Sequence, residues 1–440
     1  MSTREPVGLI TDYAAAIAFL DARIGVGVKP GLERIAGLLD LMAAPHAASP
    51  VIHIAGTNGK TTTVGMVATL VHTMGLRAGT FVSPHLHRVE ERYSIAGATL
   101  DDDAFTTAVA DVAPFVEIYE TEAGEPVTYF EATAAIAFQA FAAAGVDVAI
   151  VEVGLGGRLD ATNVVGADVS VITGIDIDHT AFLGSTISEI AAEKAAIVKH
   201  DGTLVSGPLP AAAEGAITAR VDEMGATWYR AGADFRVENA RIAVGGWAGD
   251  IHGIYENYED VYLPMHGRHQ LDHLATAVAA CEVFFGRALD ADEVRAAVGQ
   301  MISPGRIEVM ARGPLVVIDG AHNVQGMNGL GEALAMEFPD VPWLLVFGAR
   351  GERDLIALLE PLRGLVGEVI ATAAVDEQAI APADVAAAAT AVFGADVPVE
   401  TVVPVAQAVT EALDRVGEEG AIVVAGSLYV VGEARPRWET

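Results

Sequence analysis

From residue 50 onward, short apolar runs rich in β-branched residues alternate with longer stretches of helical periodicity. Strands are expected over 51–55, 148–153, 169–173 and 203–206, with few polar breaks, as strands covered on both faces require. That alternation predicts an α/β fold with a mainly parallel sheet. Residues 230–265 change character, and their alternation, glycines and aromatics (GGWAGDIHGIYENYEDVYLPM) predict an antiparallel excursion. A second alternating series begins near 314, with strands expected over 315–318, 343–347, 369–372, 397–402 and 421–425. Between the two series lies Ser303-Pro304-Gly305-Arg306, a turn-rich hinge. The chain therefore divides into a large first domain, 1–300, and a smaller second one, 306–440. No internal repeat or low-complexity tract interrupts either.

Composition changes this picture only at its edges. A length of 440 residues exceeds one compact core and suits two domains. The apolar fraction is 52%, but alanine supplies much of it. No run reaches the roughly 18 apolar residues that a spanning helix needs; the nearest, 132–144, is short and holds Gln139. The start, Met1-Ser2-Thr3-Arg4-Glu5-Pro6, lacks the layout of a secretory signal. A soluble, cytoplasmic protein is expected. Lys+Arg 26 against Asp+Glu 59 gives a net charge of −33, which leaves no basic footprint for nucleic acid or an anionic membrane. A lone cysteine, Cys281, excludes an internal disulfide and reads as a core thiol in the apolar run 275–285. Lysine occurs only at Lys29, Lys60, Lys194 and Lys199, so the place of each is informative.

The strongest chemical signal is VIHIAGTNGKTTTVGMVATLV, residues 51–71. A buried strand ends at Ala55, the turn Gly56-Thr57-Asn58-Gly59 follows, and Lys60-Thr61-Thr62 opens a helix. Backbone N–H groups of such a turn curl around a phosphate, Lys60 reaches the terminal phosphates, and Thr61 offers a hydroxyl to Mg²⁺. The spacing is tighter than the general P-loop pattern, and a chance match is the alternative; the strand–turn–helix context favours phosphate. In AIVEVGLGGRLDATN, residues 149–163, Glu152 closes an apolar strand at a crevice position. Two readings stand for it, an ion pair with Arg158 and a ligand for Mg²⁺. In VITGIDIDHTAFLGSTISEIAAEKAAIVK, residues 171–199, an acid- and His-bearing loop (Asp176, Asp178, His179) precedes a helix with an apolar stripe at Ile187, Ile190, Ala191, Ile197 and Val198. Lys194 falls inside that stripe. It either snorkels to pair with Glu193 or Glu189, or lies desolvated, the condition in which CO₂ can carbamylate it into a metal ligand.

Weaker features accompany these. Ser83 in Phe81-Val82-Ser83-Pro84-His85-Leu86 presents a hydroxyl or simply forms a turn. Thr128-Tyr129-Phe130-Glu131 offers an aromatic face beside an acid, suited to a flat heterocycle or to plain core. Asp319-Gly320-Ala321-His322-Asn323 sits at a strand-to-helix junction of the second domain, and Arg306 in the hinge reads either as a phosphate contact or as surface.

Together these segments closely resemble the Mur-ligase superfamily of ATP-dependent amide ligases, and within it the dihydrofolate synthase/folylpolyglutamate synthase branch. The resemblance runs along nearly the whole chain: GLERI, AGTNGKTTT, VSPHL, TYFEA, VEVGLGGRLDATN, DHTAFLG, EKAAIVK, HQ at 269–270, PGRIEV, DGAHN and GSLYVVGE. It implies a P-loop NTPase-like central domain with a parallel sheet and a smaller C-terminal Rossmann-like α/β domain. It implies ATP held by Thr57, Asn58, Gly59, Lys60 and Thr61, with Arg306, Asp319, Gly320, Ala321 and His322 completing the nucleotide site. Two Mg²⁺ ions are implied, one on Thr61, Ser83 and Glu152, the other on His179 with carbamylated Lys194. Val28, Lys29, Pro30, Thr128, Tyr129, Phe130, Glu131, Leu159, Asp160 and Ala161 would line the pteroate site. Lys60, His179 and Lys194 would be the catalytic residues. The implied partners are 7,8-dihydropteroate or a reduced folate, L-glutamate and ATP, on a monomer. Three positions depart from the family pattern: His273, expected among the nucleotide contacts, stands where Asn is usual, Val324 where Pro is usual, and Glu352-Arg353-Asp354 where Asp-Lys-Asp is usual. A Mur-type ligase with another carboxylate acceptor and a binding-only P-loop protein are the rivals; the Gly-Lys-Thr loop argues against a Rossmann oxidoreductase.

Overall fold

The computed structural model describes residues 9–438, so the reading of the start, residues 1–6, lies outside the described residues. The chain forms two compact units. The first runs from the start of the described chain to Glu238 and adds Asp250–Val261 and Asp272–Val298. The second takes Asn239–Gly249, Tyr262–Leu271 and everything described from Gly299 onward, so it is not a single cut near residue 300.

The first unit is built on eight strands: β1 Val51–Ala55, β2 Ala78–Phe81, β3 Tyr93–Ile95, β4 Ala98–Thr99, β5 Val148–Glu152, β6 Val169–Ile172, β7 Thr203–Ser206 and β8 Thr227–Arg230. Their order is β4-β3-β2-β5-β1-β6-β7-β8. From β2 to β8 every neighbour is parallel. The β3–β4 hairpin adds an antiparallel edge that hydrophobic periodicity did not reveal, because its strands are two or three residues long. All five residues of β1 and all five of β5 are buried, Glu152 included. A strand without alternation is what a sheet with both faces covered demands. One apolar cluster gathers Phe81, Tyr93, Phe105, Phe138 and Phe141; another gathers Ile172, Ile190, Leu204 and Ile217.

Three further strands, β9 Arg236–Ala243, β10 Gly246–His252 and β11 Asn257–Leu263, form a sheet in the order β11-β10-β9. Only Val244 and Gly245 join β9 to β10, a connection that an antiparallel pair alone can make. The second unit carries β12 Glu308–Arg312, β13 Leu315–Ile318, β14 Trp343–Phe347, β15 Val366–Ala371, β16 Val399–Thr401 and β17 Ala421–Ala425. Their order is β12-β13-β17-β14-β15-β16, parallel except for β12. The edge strand β16 is shorter than the expected 397–402, since Pro398 has no N–H to give the ladder. The helix Ile187–Ala195 also stops early; Ile197 and Val198 of the expected stripe lie beyond its end, yet both are fully buried.

Side by side in the first sheet, β2, β5, β1 and β6 all point their C-terminal ends the same way. The loops that follow them hold Ser83, the turn 56–59 and residues 176–179, and Glu152 is the last residue of β5. Ligands of open α/β sheets bind at that edge.

Candidate active site

The turn after β1 enters the helix Lys60–Thr73 through Gly59, whose φ of +79° places it in the left-handed region. No side chain caps this helix, so its first N–H groups remain available to an anion. A Cβ on Gly59 would run into the imidazole of His273, which brings that sequence-predicted residue against the loop. Thr57 fastens the loop to the one after β6: its N–H donates to Gly174 O (2.9 Å), its hydroxyl donates to Asp176 O (3.1 Å), and it accepts from Asp176 N–H (3.0 Å). Asn58 O accepts the Thr173 hydroxyl at 2.6 Å. Lys60 Nζ folds over the loop and donates to Gly56 O (3.1 Å) and Thr57 O (3.2 Å).

Lys194 meets the same carbonyl. Its Nζ donates to Gly56 O at 2.9 Å, and the residue is 4% exposed. This corrects both partners considered from sequence. Glu193 pairs with Arg158 (2.9 Å), and Glu189 closes a capping box with Thr186. Burial, followed by the positive charge of Lys60, pushes the Lys194 pKa down to about 7. The helix is held close because Gly157 packs on it: a Cβ there would stand 2.5 Å from Glu193 O. Arg158 N–H also donates to Glu193 O (2.9 Å). Arg158 is therefore committed to Glu193, and the Arg158–Glu152 ion pair does not form.

Glu152 instead faces oxygen and nitrogen donors. The Thr61 hydroxyl donates to it at 2.9 and 3.1 Å, and Ser83 N–H at 3.3 Å. A carboxylate 1% exposed, with two hydroxyl-bearing residues beside it, is a hard-oxygen set that fits Mg²⁺. His179 stands apart from that set in character. It is half exposed, N-caps the short helix Thr180–Leu183 at φ +50°, and has Nε2 3.9 Å from Asp178. Among the described residues, no three of His, Cys, Asp or Glu converge as a metal cluster.

Beside this seat opens a cavity of about 520 Å³, lined by all ten residues assigned from sequence to the acceptor: Val28, Lys29, Pro30, Thr128, Tyr129, Phe130, Glu131, Leu159, Asp160 and Ala161. Ser83, Arg92, Arg158, Phe182 and Glu193 also line it. Phe130 packs on Phe81 (5.9 Å between ring centroids), so it serves the core and the cavity at once. Glu131 is not free to bind a ligand by charge. It closes a capping box with Thr128 at the start of the helix Tyr129–Ala144 and accepts Arg34 Nε at 3.0 Å. Arg34, in GLERI, also donates to Lys29 O, tying the loop around Lys29 to that helix.

A buried polar chain supports Asp160. Thr162 donates its hydroxyl to Asp160, so His53 Nε2–H must donate to Thr162 Oγ1, at 2.8 Å. His53 Nδ1 is buried and unbonded. Burial, with a smaller push from Lys199, brings the His53 pKa down to about 3. Lys199 Nζ donates to Asn163 O (2.9 Å) and Oδ1 (2.8 Å), bracing the same loop. Sequence reasoning missed Arg34, His53, Arg92 and Lys199. Only a histidine inside an apolar strand and the scarcity of lysine hinted at two of them.

In the second unit, Asp319 is 7% exposed and accepts N–H from Ile307 and Ala321, both at 2.7 Å. Burial raises its pKa and the neighbouring Arg306 lowers it. Gly320 has no room for a side chain, because Arg306 Nη1 and Leu428 occupy the place of its Cβ. His322 Nδ1 lies 2.8 Å from Gly320 O. Cys281 is fully buried and its thiol pKa is raised by that burial, an inert thiol. No described helix is long and apolar enough to cross a membrane.

Comparison with known proteins points to one family. Residues 54–281 match the Mur ligase middle domain, and residues 305–428 match the Mur ligase glutamate ligase domain. The dihydrofolate synthase/folylpolyglutamate synthase of Mycobacterium tuberculosis is 38% identical over 93% of this chain and 90% of its own. The Escherichia coli protein of that name is 32% identical over 81% of this chain and 80% of its own. Among solved structures, the M. tuberculosis folylpolyglutamate synthase complexed with ADP and AMPPCP superposes with a TM-score of 0.92 at 37% identity, over 98% of this chain and 99% of that one. E. coli FolC in complex with DHPP and ADP gives 0.85 at 28% identity, over 98% of each.

Proposed function

The chain belongs to the dihydrofolate synthase/folylpolyglutamate synthase family of Mur ligases and is an ATP-dependent ligase, and on that premise we propose that it joins L-glutamate to 7,8-dihydropteroate or to a reduced folate. The acceptor carboxylate oxygen attacks the γ-phosphorus of ATP, the bond to the β–γ bridging oxygen breaks, and ADP leaves. The neutral amine of glutamate then attacks the acyl carbon of the acyl phosphate. Collapse of the tetrahedral intermediate expels phosphate, the amine loses its proton, and an amide remains. Catalysis of this kind is positioning plus charge neutralisation.

One observation carries the proposal: Ser83 lines the acceptor cavity and also donates its N–H to Glu152, which holds the Thr61 hydroxyl of the phosphate loop. Phosphate seat and acceptor cavity thus share a residue. Lys60 is proposed to leave the loop carbonyls for the γ-phosphoryl oxygens. Thr61, Ser83 and Glu152 would hold Mg²⁺, which when bound would neutralise the charge of the triphosphate. His179 and Lys194, the latter as a carbamate, are proposed for a second ion. The burial of Lys194 supports that role, since a desolvated amine is the kind that CO₂ modifies. His273, Arg306, Asp319, Gly320, Ala321 and His322 are proposed to serve the nucleotide. A cytoplasmic monomer is the expected form.

The test is mass spectrometry of the acceptor after incubation with ATP, Mg²⁺ and L-glutamate. A gain of one glutamyl residue on dihydropteroate or on a reduced folate is expected. An unchanged mass for both refutes the proposal.

A further inference from the structure

Six charged side chains line the cavity: Lys29, Arg92, Glu131, Arg158, Asp160 and Glu193. Four are satisfied within the protein. Glu131 takes Arg34 (3.0 Å), Arg158 takes Glu193 (2.9 Å), and Asp160 accepts N–H from Leu155 (2.8 Å) and Thr162 (3.0 Å). Lys29 stands on the partly exposed loop before GLERI, where water solvates its charge.

Arg92 differs from all five. It is 7% exposed, yet it makes no ion pair with any described residue. Its Nε–H donates to His85 Nδ1 at 3.0 Å, and its guanidinium carbon stands 5.5 Å from the centre of the Tyr129 ring. Neither neighbour carries negative charge. The two terminal nitrogens of Arg92 hydrogen-bond to no described residue, although the side chain lines the cavity. A guanidinium withdrawn from water without a counter-charge is costly to keep. Its planar fork matches a carboxylate with two parallel bonds.

Position decides which carboxylate. Val82 N–H donates to Arg92 O at 3.0 Å, so Arg92 enters the cavity next to Ser83, at the reacting end. A bidentate clamp on the carboxylate that must attack phosphorus would stabilise its ground state and slow it. A carboxylate that does not react suffers no such penalty. Dihydropteroate carries only the carboxylate that reacts, whereas a folate already bearing glutamate carries another. We propose that Arg92 is a specificity-determining residue that pairs with the unreacted carboxylate of the acceptor and so favours a glutamyl-bearing folate over dihydropteroate, an inference that rests on the ligase reading above.

The experiment measures kcat/KM for a reduced folate monoglutamate and for 7,8-dihydropteroate, in the wild type and in Arg92→Gln. The folate-to-pteroate ratio is expected to fall about 10- to 100-fold, the effect of deleting a charged hydrogen-bond partner. In parallel, the wild type is given a reduced folate whose unreacted carboxylate is an amide. A comparable loss is expected, with little further loss when the variant meets the amide. The wild-type arm decides the matter even where Arg92→Gln fails to fold. An unchanged ratio, whether both activities fall together or neither falls, overturns the inference, as does equal use of acid and amide by the wild type. Turnover of dihydropteroate with no turnover of any folate also overturns it while leaving the ligase reading intact. Turnover of neither acceptor removes both.

Discussion

The loop after β1 and the loop after β13 each leave the C-terminal end of a strand with a parallel neighbour and run into a helix of 14 residues, Lys60–Thr73 in the first unit and Val324–Glu337 in the second. At the first, a left-handed glycine begins the helix without a side-chain cap, and two lysines converge on one carbonyl, Gly56 O. At the second, Asn323 caps the helix by accepting Gly326 N–H (2.9 Å), and Asp319 is engaged by two backbone N–H groups. The first loop keeps donors and positive charge in reserve for an anion. The second engages Asp319 and its helix end with backbone N–H groups of its own unit. Topology alone put both at a ligand-binding edge; capping chemistry distinguishes them.

The sharpest way to break this contrast is Lys60→Ala. Without the ammonium, ligation measured as ADP release is expected to fall about 10³-fold or more, with little change in the unfolding midpoint. A variant keeping a tenth of wild-type activity would show that the loop binds phosphate by its backbone alone. Asp319→Ala should show itself first in stability. It strands the N–H groups of Ile307 and Ala321, and about 2–4 kcal/mol of stability is expected to disappear in urea titration. A shift under 1 kcal/mol would mean that the loop has other partners.

A third difference lies in the strands themselves. β1 carries the buried His53, whereas β13 (Leu315–Ile318) carries no titratable group. The pKa of His53 is about 3 folded, against an ordinary 6.5, so between those values the unfolded chain binds the extra proton. Stability from this group is fully present above about pH 6.5 and is lost as pH falls towards 3. Roughly 2 kcal/mol should go between pH 6.5 and pH 5, and a His53→Leu variant should lack that part of the slope. Identical slopes would place the acid sensitivity elsewhere. The smallest effect is expected from Asn323→Ala, about 1 kcal/mol for a lost N-cap, read as a modest drop in the thermal midpoint. No drop at all would undo the claim that this helix closes its own end.

Much of the scaffold was legible because it depends on local pattern. Unbroken apolar runs gave β1 and β5, and Gly-x-x-Gly-Lys-Thr gave the turn from β1 into an uncapped helix. All ten acceptor residues assigned through the family resemblance line one cavity. What stayed hidden depends on partners far apart in the chain. Periodicity showed that Lys194 faces inward, but not that Gly56 O, 138 positions away, would receive it. The Arg34–Glu131 bond spans 97 positions, and the link from His53 to Thr162 spans 109. Glu131 read as a ligand group because its acid sits beside two aromatics; only the fold reveals that Arg34 already holds it.

The central claim is that the open phosphate loop and the neighbouring cavity act as one ligase site. It is tested most directly by ADP release with ATP and Mg²⁺, adding L-glutamate, acceptor, or both, with 7,8-dihydropteroate and a reduced folate tried in turn. Sustained release only when glutamate and an acceptor are present together is the expected result. Release that neither acceptor stimulates would contradict the account.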